Sequence, residues 1–158
     1  MNKKQLFENY LNENIDNAYR FAYTYTKSKE DAEDVVSESV IKALKALHRL
    51  RNTESLKPWF YKIIANTALS HIKKNQKLIP SEPETFEAAG GKTDDYSVLN
   101  FESLIKSLDI KYRSIIVMRF LEDMSLKEIA KVLDTNENTV KTRLYTALKM
   151  LRMEVYDE

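Results

Sequence analysis

The chain has 158 residues and a formal net charge of +1. Apolar residues make up 43% and charged residues 31%, so the chain can bury a core and still present a polar surface. Two Gly and three Pro are too few turn formers for a many-stranded sandwich or barrel, which favours an all-α fold. The absence of Cys excludes disulfides, thiolate zinc sites and cysteine nucleophiles, and two His exclude a His-rich metal centre.

Targeting and catalytic signals are also missing from the sequence. No run approaches the roughly 20 apolar residues of a membrane span, and the first residues lack the apolar stretch of a signal peptide. We can place no Gly-rich phosphate loop, no cluster of metal ligands and no nucleophile–base pair. We therefore expect a soluble cytoplasmic protein that is neither a membrane protein nor an enzyme and that needs no cofactor.

Composition divides the chain into three parts. Residues 1–77 hold 14 Lys/Arg and 9 Asp/Glu, residues 78–100 hold 1 and 5, and residues 101–158 hold 10 of each. The middle part also contains two of the three Pro and both Gly, residues that interrupt helices. We therefore predict two small helical domains, 1–77 and 101–158, joined by an acidic flexible linker at 78–100.

The first domain is predicted to contain three amphipathic helices. The first runs from about Lys4 to Thr26. The second begins at Ser28 or Lys29 and has acidic residues in its first turns, where the helix dipole favours them. A loop at Arg49–Lys57 precedes the third helix, since Pro58 suits a first helical turn, and the third helix ends in a lysine cluster.

The second domain is predicted to contain about four helices, roughly Val98–Leu108, Lys111–Leu121, Ser125–Leu133 and Asn136–Met153. Ser125 and Glu128 fit a capping box, in which each side chain satisfies a backbone N–H of the first turn. The apolar residues of the last two helices follow helix-turn-helix spacing: Leu126, Ile129, Ala130 and Leu133, then Val140, Leu144 and Leu148. Asp134 replaces the usual turn Gly and tolerates the left-handed conformation.

The last helix is the stronger of two candidate nucleic-acid surfaces. Near its start it exposes side chains that can hydrogen-bond to base edges and phosphates: Asn138, Thr139, Lys141, Thr142 and Arg143. Four basic residues and no acid occur from Thr139 to Arg152. An ordinary helical hairpin with a solvated basic face is the alternative. Because the spacing and the charge coincide, DNA binding is favoured.

The third helix is the second candidate surface. Its segment Pro58–Lys77 has four lysines, no acid and several aromatic residues, which suits single-stranded DNA because bases stack on rings and lysines contact phosphates. Trp59 and Ile63 are interpreted as core. A role in DNA binding stays open for residues on the other faces: Tyr61, Lys62, Asn66, Ser70, Lys73 and Lys74. His48 and His71 are interpreted as surface or helix-end residues rather than metal ligands.

Three blocks of the sequence resemble the extracytoplasmic-function (ECF) sigma factors of bacterial RNA polymerase. Residues 29–44, KEDAEDVVSESVIKAL, look like the family's region 2.2, and residues 58–74 are similar to regions 2.3 and 2.4. Residues 112–130, together with 138–144, match region 4. Three such blocks in order, divided by a linker, are highly specific. Within the family they most resemble envelope-stress factors of the sigma-V type.

The resemblance implies a transcription initiation factor that binds core RNA polymerase and directs it to promoters. Contacts with the clamp helices of the largest polymerase subunit are implied for Asp31, Asp34, Val35, Glu38 and Ser39. Contacts with the melted −10 element are implied for Arg51, Asn52, Thr53, Glu54, Ser55, Tyr61, Lys62, Asn66, Ser70 and Lys73. Contacts with the duplex −35 element are implied for Asn138, Thr139, Lys141, Thr142 and Arg143.

The resemblance also implies an anti-sigma factor, often membrane-anchored, that holds the protein inactive. The chain departs from the family pattern at Ser37, Thr135 and Asn138, which bear on one clamp contact, on packing of the last helix and on −35 preference. Two other functions stay open: a regulator that dimerises through its first domain and binds a palindrome, and a pure protein-interaction module. The acidic run Glu30–Glu38 counts against the first, and the basic last helix against the second.

Overall fold

We describe residues 2–78, 103 and 105–156 of a computed structural model, and the side chains within 2–76, 103 and 105–152. These residues form helices, turns and connecting segments, and no strand occurs among them. The predicted all-α fold is therefore confirmed. The predicted linker at 78–100 lies outside the described residues, apart from Leu78 at the end of a helix.

The first domain is a unit of three helices. Helix α1 spans Lys3–Thr26, α2 spans Lys29–Ala46 and α3 spans Leu56–Leu78. The connection between α2 and α3 contains two short 3-10 turns, Leu47–Arg49 and Thr53–Ser55. The three predicted helices are thus confirmed, and the proline of α3 stands in its first turn as expected.

Local capping explains where α1 and α2 begin and end. The Asn2 side chain accepts a hydrogen bond from the backbone N–H of Gln5 at 2.8 Å, and Gln5 returns one to Asn2 at 3.2 Å. Lys27 ends α1 in the left-handed conformation, at φ 57°, and the Ser28 side chain then accepts from the N–H of Asp31. This short connection lets α2 pack back against α1.

The second domain contains three described helices and one irregular turn. Helix α4 spans Ile110–Ile116, α5 spans Leu126–Val132 and α6 spans Glu137–Tyr156. Of the predicted helix at Val98–Leu108, residues 103 and 105–107 are helical, and the residues 98–102 and 104 lie outside the description.

The predicted helix Lys111–Leu121 is confirmed in extent, since the chain is helical from Ile110 to Leu121, but its second half is not α-helical. Residues Val117–Leu121 form a π-helical turn. The N–H of Glu122 donates to the carbonyl of Val117, five residues back, at 3.0 Å. A wide turn of this kind inserts a residue into the helical repeat, so the apolar spacing alone does not reveal it.

The cores of the two domains are continuous. In the first domain Phe7 packs edge-on against Phe60 at 5.2 Å, and Phe21 stacks on Tyr61 at 4.7 Å. In the second, the largest fully buried side chains are Ile115, Ile116, Met118, Met124 and Ile129. Helix α1 packs on α4 and α3 packs on α5, which joins the domains into one body. Trp59 and Ile63 pack against this core, as predicted.

Candidate nucleic-acid interface

The acidic run lies along one side of α2. Asp34 and Glu38 are exposed and Asp31 is half-buried. Glu30 and Asp31 stand in the first turn, where the helix dipole stabilises negative charge. Glu38 lies 3.4 Å from the ammonium of Lys42 one turn further on, and such an exposed pair contributes only about 0.3–0.5 kcal/mol. These carboxylates therefore form an accessible negative surface.

Two residues assigned to the same polymerase contact lie inside the domain instead. Val35 and Ser39 are both fully buried, at 0% exposure. The Ser39 hydroxyl donates to the carbonyl of Val35 at 2.6 Å, which satisfies it without a partner protein. Direct contact by these two side chains would need an exposure that this conformation lacks. Their position supports α2 from within, so that Asp31, Asp34 and Glu38 face outward.

The residues assigned to the −10 element lie mostly on the surface of α3 and of the loop before it. On α3, Asn66, Ser70 and Lys73 are exposed at helical spacing and share one face. In the loop, Arg51, Asn52, Thr53 and Glu54 are exposed and Ser55 is half-buried. The Asn52 side chain accepts from the N–H of Glu54 at 3.0 Å, which fixes the loop just ahead of α3.

Tyr61 and Lys62 differ from the other members of this set. Tyr61 is 1% exposed, and its hydroxyl donates to a carboxylate oxygen of Glu122 in the second domain at 2.7 Å. Burial, and then the charge of Glu122, raise the pKa of Tyr61 far above its usual range. The Lys62 ammonium lies 3.7 Å from Asp134 of the second domain. Both residues are thus engaged by the second domain in this conformation.

The helix-turn-helix is built by the capping that the sequence indicates. The Ser125 hydroxyl accepts from the N–H of Glu128 and the Glu128 carboxylate accepts from the N–H of Ser125, both at 3.1 Å. Asp134 has φ 53°, in the left-handed region predicted for it. The Asn136 side chain accepts from the N–H of Thr139 at 2.8 Å and starts α6. The predicted capping box and turn are therefore confirmed.

The first turns of α6 present polar and basic side chains. Asn138, Lys141 and Thr142 are exposed, while Thr139 and Arg143 are half-buried. Val140 and Leu144, on the opposite side of the helix, are buried against the domain core. The Thr142 hydroxyl donates to the carbonyl of Asn138 at 2.9 Å, which leaves its oxygen as an acceptor. Such a set of groups can bind phosphates and base edges in a major groove.

Comparison with known proteins identifies the family. The family model described as Sigma-70 region 2 matches residues 11–78, and that of Sigma-70, region 4 matches residues 99–151. The RNA polymerase sigma factor SigV of Bacillus subtilis strain 168 is 43% identical over 141 residues, covering 89% of this chain and 85% of that protein. The chain belongs to the ECF sigma factors of the sigma-70 family.

Other relatives agree with this assignment. The ECF sigma-E factor of Escherichia coli K12 is 31% identical over an alignment of 144 residues, and the match covers 79% of this chain and 74% of that protein. The sigma factor RpoE, in complex with the anti-sigma factor NepR from Bartonella quintana, superposes with a TM-score of 0.75 at 19% identity, covering 95% of this chain and 96% of RpoE. CnrH, in complex with the cytosolic domain of CnrY, gives 0.71 at 18% identity, with 99% and 91% covered. The two structures share its fold.

This sigma factor is a transcription initiation factor that directs core RNA polymerase to promoters. Its region 2 comprises α1–α3 and its region 4 comprises α4–α6. The DNA-binding helix-turn-helix belongs to region 4. Among the described residues, no helix has the length and apolar character needed to cross a membrane.

Sequence reasoning missed the contact between regions 2 and 4. Glu122 is buried, with 1% of its side chain exposed, and receives hydrogen bonds from Arg20 and Tyr61. The Lys57 ammonium donates to the carbonyl of Glu122 at 2.6 Å. These residues belong to different domains and share no periodic pattern, so nothing in the sequence links them.

Region 2 also contains a group of potential metal-ligand atoms that the sequence did not indicate. Asp31, Asp34 and His71 each place one such atom within 4.8 Å of the others. Nε2 of His71 lies 4.0 Å from Asp31, so a protonated imidazole would pair with that carboxylate. Exposed carboxylates often cluster without a metal. Asp31 and Asp34 both belong to the surface assigned to the polymerase. This arrangement therefore fits an acidic docking face with a basic neighbour.

Proposed function

We propose that this sigma factor uses three separate helices for its three contacts during initiation. The acidic side of α2 binds core polymerase, α3 and its preceding loop bind the melted −10 element, and α6 binds the −35 duplex. The observation that carries the proposal is the agreement between charge and partner on exposed residues. Carboxylates line α2, whereas polar and basic groups line α3 and α6.

The polymerase contact rests on Asp31, Asp34 and Glu38. Their carboxylates suit basic residues on the clamp helices of the largest polymerase subunit, since unlike charges steer association and select the partner. Val35 and Ser39 position this face from inside the domain. Their role in the polymerase contact is then indirect.

The −10 contact rests on the exposed stripe Asn66, Ser70 and Lys73 and on the loop Arg51–Glu54. Lys73 and Arg51 suit the phosphates of a single strand, while the amide and hydroxyl groups suit unpaired bases. The Tyr61 ring stacks on Phe21 within region 2, so the group that Tyr61 offers once region 4 leaves is its hydroxyl. Binding of unstacked bases would stabilise the open bubble.

The −35 contact rests on Asn138, Lys141, Thr142 and Arg143 at the start of α6, with Thr139 at its edge. Lys141 and Arg143 suit phosphates or the acceptor atoms of guanine, and Asn138 suits adenine. Because such contacts displace counterions from DNA, promoter binding weakens as salt rises.

The polymerase supplies all of the catalysis, and this sigma factor is a cytoplasmic protein without enzymatic activity or cofactor. An anti-sigma factor, anchored in the membrane, restrains it until an envelope stress releases it. The restraint is supported by similarity of fold to RpoE, solved with the anti-sigma factor NepR, and to CnrH, solved with the cytosolic domain of CnrY.

Run-off transcription tests this function. Purified core polymerase is combined with a library of bacterial promoter fragments, with and without this protein. Transcripts that require the protein are expected, and their upstream sequences would define the two promoter elements. If the protein binds no core polymerase, produces no start sites and yet retains a palindrome by itself, it is a stand-alone regulator.

A further inference from the structure

A turn of region 4, at Leu121 and Glu122, packs against region 2. Side chains of region 2 donate hydrogen bonds to the polar groups of this turn. The carboxylate of Glu122 accepts from Nε of Arg20 at 2.8 Å and from the hydroxyl of Tyr61 at 2.7 Å. The backbone carbonyl of Glu122 accepts from Lys57, and that of Leu121 accepts from Arg20 at 2.9 Å. Three side chains of region 2 thus bind two successive residues of region 4.

This contact covers part of the surface proposed for the −10 element. Tyr61 and Lys62 are engaged by Glu122 and Asp134 of region 4. Asn66, Ser70 and Lys73, further along α3, remain exposed. The packed conformation therefore offers an incomplete surface to a melted strand, because region 4 holds the Tyr61 hydroxyl and the Lys62 ammonium.

The packed conformation also cannot reach both promoter elements. Positions −35 and −10 are about 25 base pairs apart, which is on the order of 80 Å at the ~3.4 Å rise per base pair. A compact chain of this length has a radius of gyration of about 15 Å and thus a diameter of about 40 Å. Regions 2 and 4 must separate before α3 and α6 can occupy their elements together.

The Glu122 contact is suited to hold the regions together reversibly. Its carboxylate is buried only where the two regions meet, and it is compensated there by a guanidinium and a phenol. In a separated state all three groups would be hydrated instead. A buried ion pair is easily disrupted by removing one partner, since the other is then left uncompensated. The contact can therefore change the balance between two states of the whole chain.

We propose that Glu122, Arg20, Tyr61 and Lys57 form an autoinhibitory latch, which closes region 4 over the −10 surface of region 2 in the free protein. The proposal rests on the proposed function, because only the −10 assignment makes the covered surface an inhibited one. The latch opens when the sigma factor binds core polymerase. In a chain without the latch, regions 2 and 4 are separated before core polymerase binds.

The absence of Cys allows the test to be made on the full chain with two introduced labels. Asn12→Cys on α1 and Lys149→Cys on α6 are exposed and lie outside the latch and the proposed contacts. Single-molecule energy transfer between dyes at these sites is measured for the chain with an intact latch and for Glu122→Ala and Arg20→Ala. Asp123→Asn, a neighbouring exposed carboxylate, is the matched control. Arg20 has 47% of its side chain exposed, so its replacement leaves both cores intact.

With the latch intact, one high-transfer population is expected, which shifts to low transfer when core polymerase is added. Both latch variants should lower the closed-to-open ratio by at least about tenfold, equivalent to about 1.4 kcal/mol. They should also associate several-fold faster with a fluorescent −10 single strand or with core polymerase. Asp123→Asn should behave like the unmodified chain.

Equal transfer in all variants, or opening without faster association, would overturn the latch. Run-off transcription on the same samples separates this failure from failure of the proposed function. Protein-dependent transcripts with no change in energy transfer would retain the function and reject the latch. A change in energy transfer without transcripts would reject the proposed function and, with it, the inhibitory meaning of the closure.

Discussion

Nε of Arg113, in α4 of region 4, donates a hydrogen bond to the backbone carbonyl of Thr24 in α1 of region 2, at 2.8 Å. Nη1 of the same guanidinium donates to the carbonyls of Lys106 and Leu108 at 3.3 and 3.0 Å. Arg113 is only 6% exposed, so these carbonyls take the place of water. One buried cation thus fixes the start of region 4 and joins it to region 2.

Replacing Arg113 with Ala is expected to lower the free energy of unfolding by about 2–4 kcal/mol, because three carbonyls, that of Leu108 in a buried contact, lose a charged donor. Urea unfolding followed by circular dichroism measures the change. Arg119→Ala is the matched control, since Arg119 is half-buried and donates to Met124 at 3.2 Å. An equal loss in both variants would contradict a special role for Arg113.

The left-handed turn at Asp134 predicts an unusual order of stability. Asp134→Ala should lower the free energy of unfolding by about 1 kcal/mol, because Ala is strained at φ 53°, whereas Asp134→Gly should leave it unchanged or raise it. Asp134→Asn removes the charge but keeps the tolerance for this conformation, so it isolates the ion pair with Lys62. Thermal unfolding gives the order, and a Gly variant less stable than the Ala variant would exclude backbone strain as the cause.

Stability is expected to fall at high pH because of the buried phenol of Tyr25. Burial raises the pKa of Tyr25 from 10.0 to about 12. The folded state therefore keeps a proton that the unfolded state loses, and the associated stability, complete below pH 10, disappears between pH 10 and about 12. The expected slope is about 1.4 kcal/mol per pH unit for this residue.

Urea unfolding at pH 9–12 measures this slope, to which the raised pKa values of Tyr10 and Tyr61 also contribute. Tyr25→Phe removes one titrating group, so it should make the slope shallower by about 1.4 kcal/mol per pH unit. Tyr145→Phe, at an exposed tyrosine, is the control and should keep the original slope. Identical slopes for all three proteins would show that Tyr25 does not titrate differently in the two states.

Arg143 provides the sharpest test of the −35 assignment. Arg143→Ala is expected to weaken promoter binding by the holoenzyme by about 1–3 kcal/mol if the guanidinium makes a bidentate base contact. Competition binding on promoters found by run-off transcription measures the loss, and −35 variants locate the base. Arg152→Ala, an exposed arginine near the other end of α6, is the control. An unchanged −35 footprint and affinity in Arg143→Ala would refute the assignment.

Much of the local structure follows from the sequence. The capping box of Ser125 and Glu128, the left-handed turn at Asp134 and the start of α6 at Asn136 depend on neighbours within a few residues. The apolar spacing likewise indicates which side of α6 is buried, because that spacing repeats with the helical turn. Short-range hydrogen bonds and helical periodicity depend on residues that are close in sequence, and these predictions are confirmed.

Other features were decided only by tertiary packing. The buried position of Val35 and Ser39 depends on how α2 is rotated against its neighbours, which a resemblance of sequence does not specify. Tyr61 reads as a surface aromatic beside lysines, yet it pairs with Glu122 across 61 residues of chain, and Arg20 reaches Glu122 across 102. Such pairs carry no periodic signal, because their energy comes from excluding water between domains. Neighbouring residues thus specify the helices and identify the family, whereas the packing of region 4 on region 2 sets which functional residues are covered.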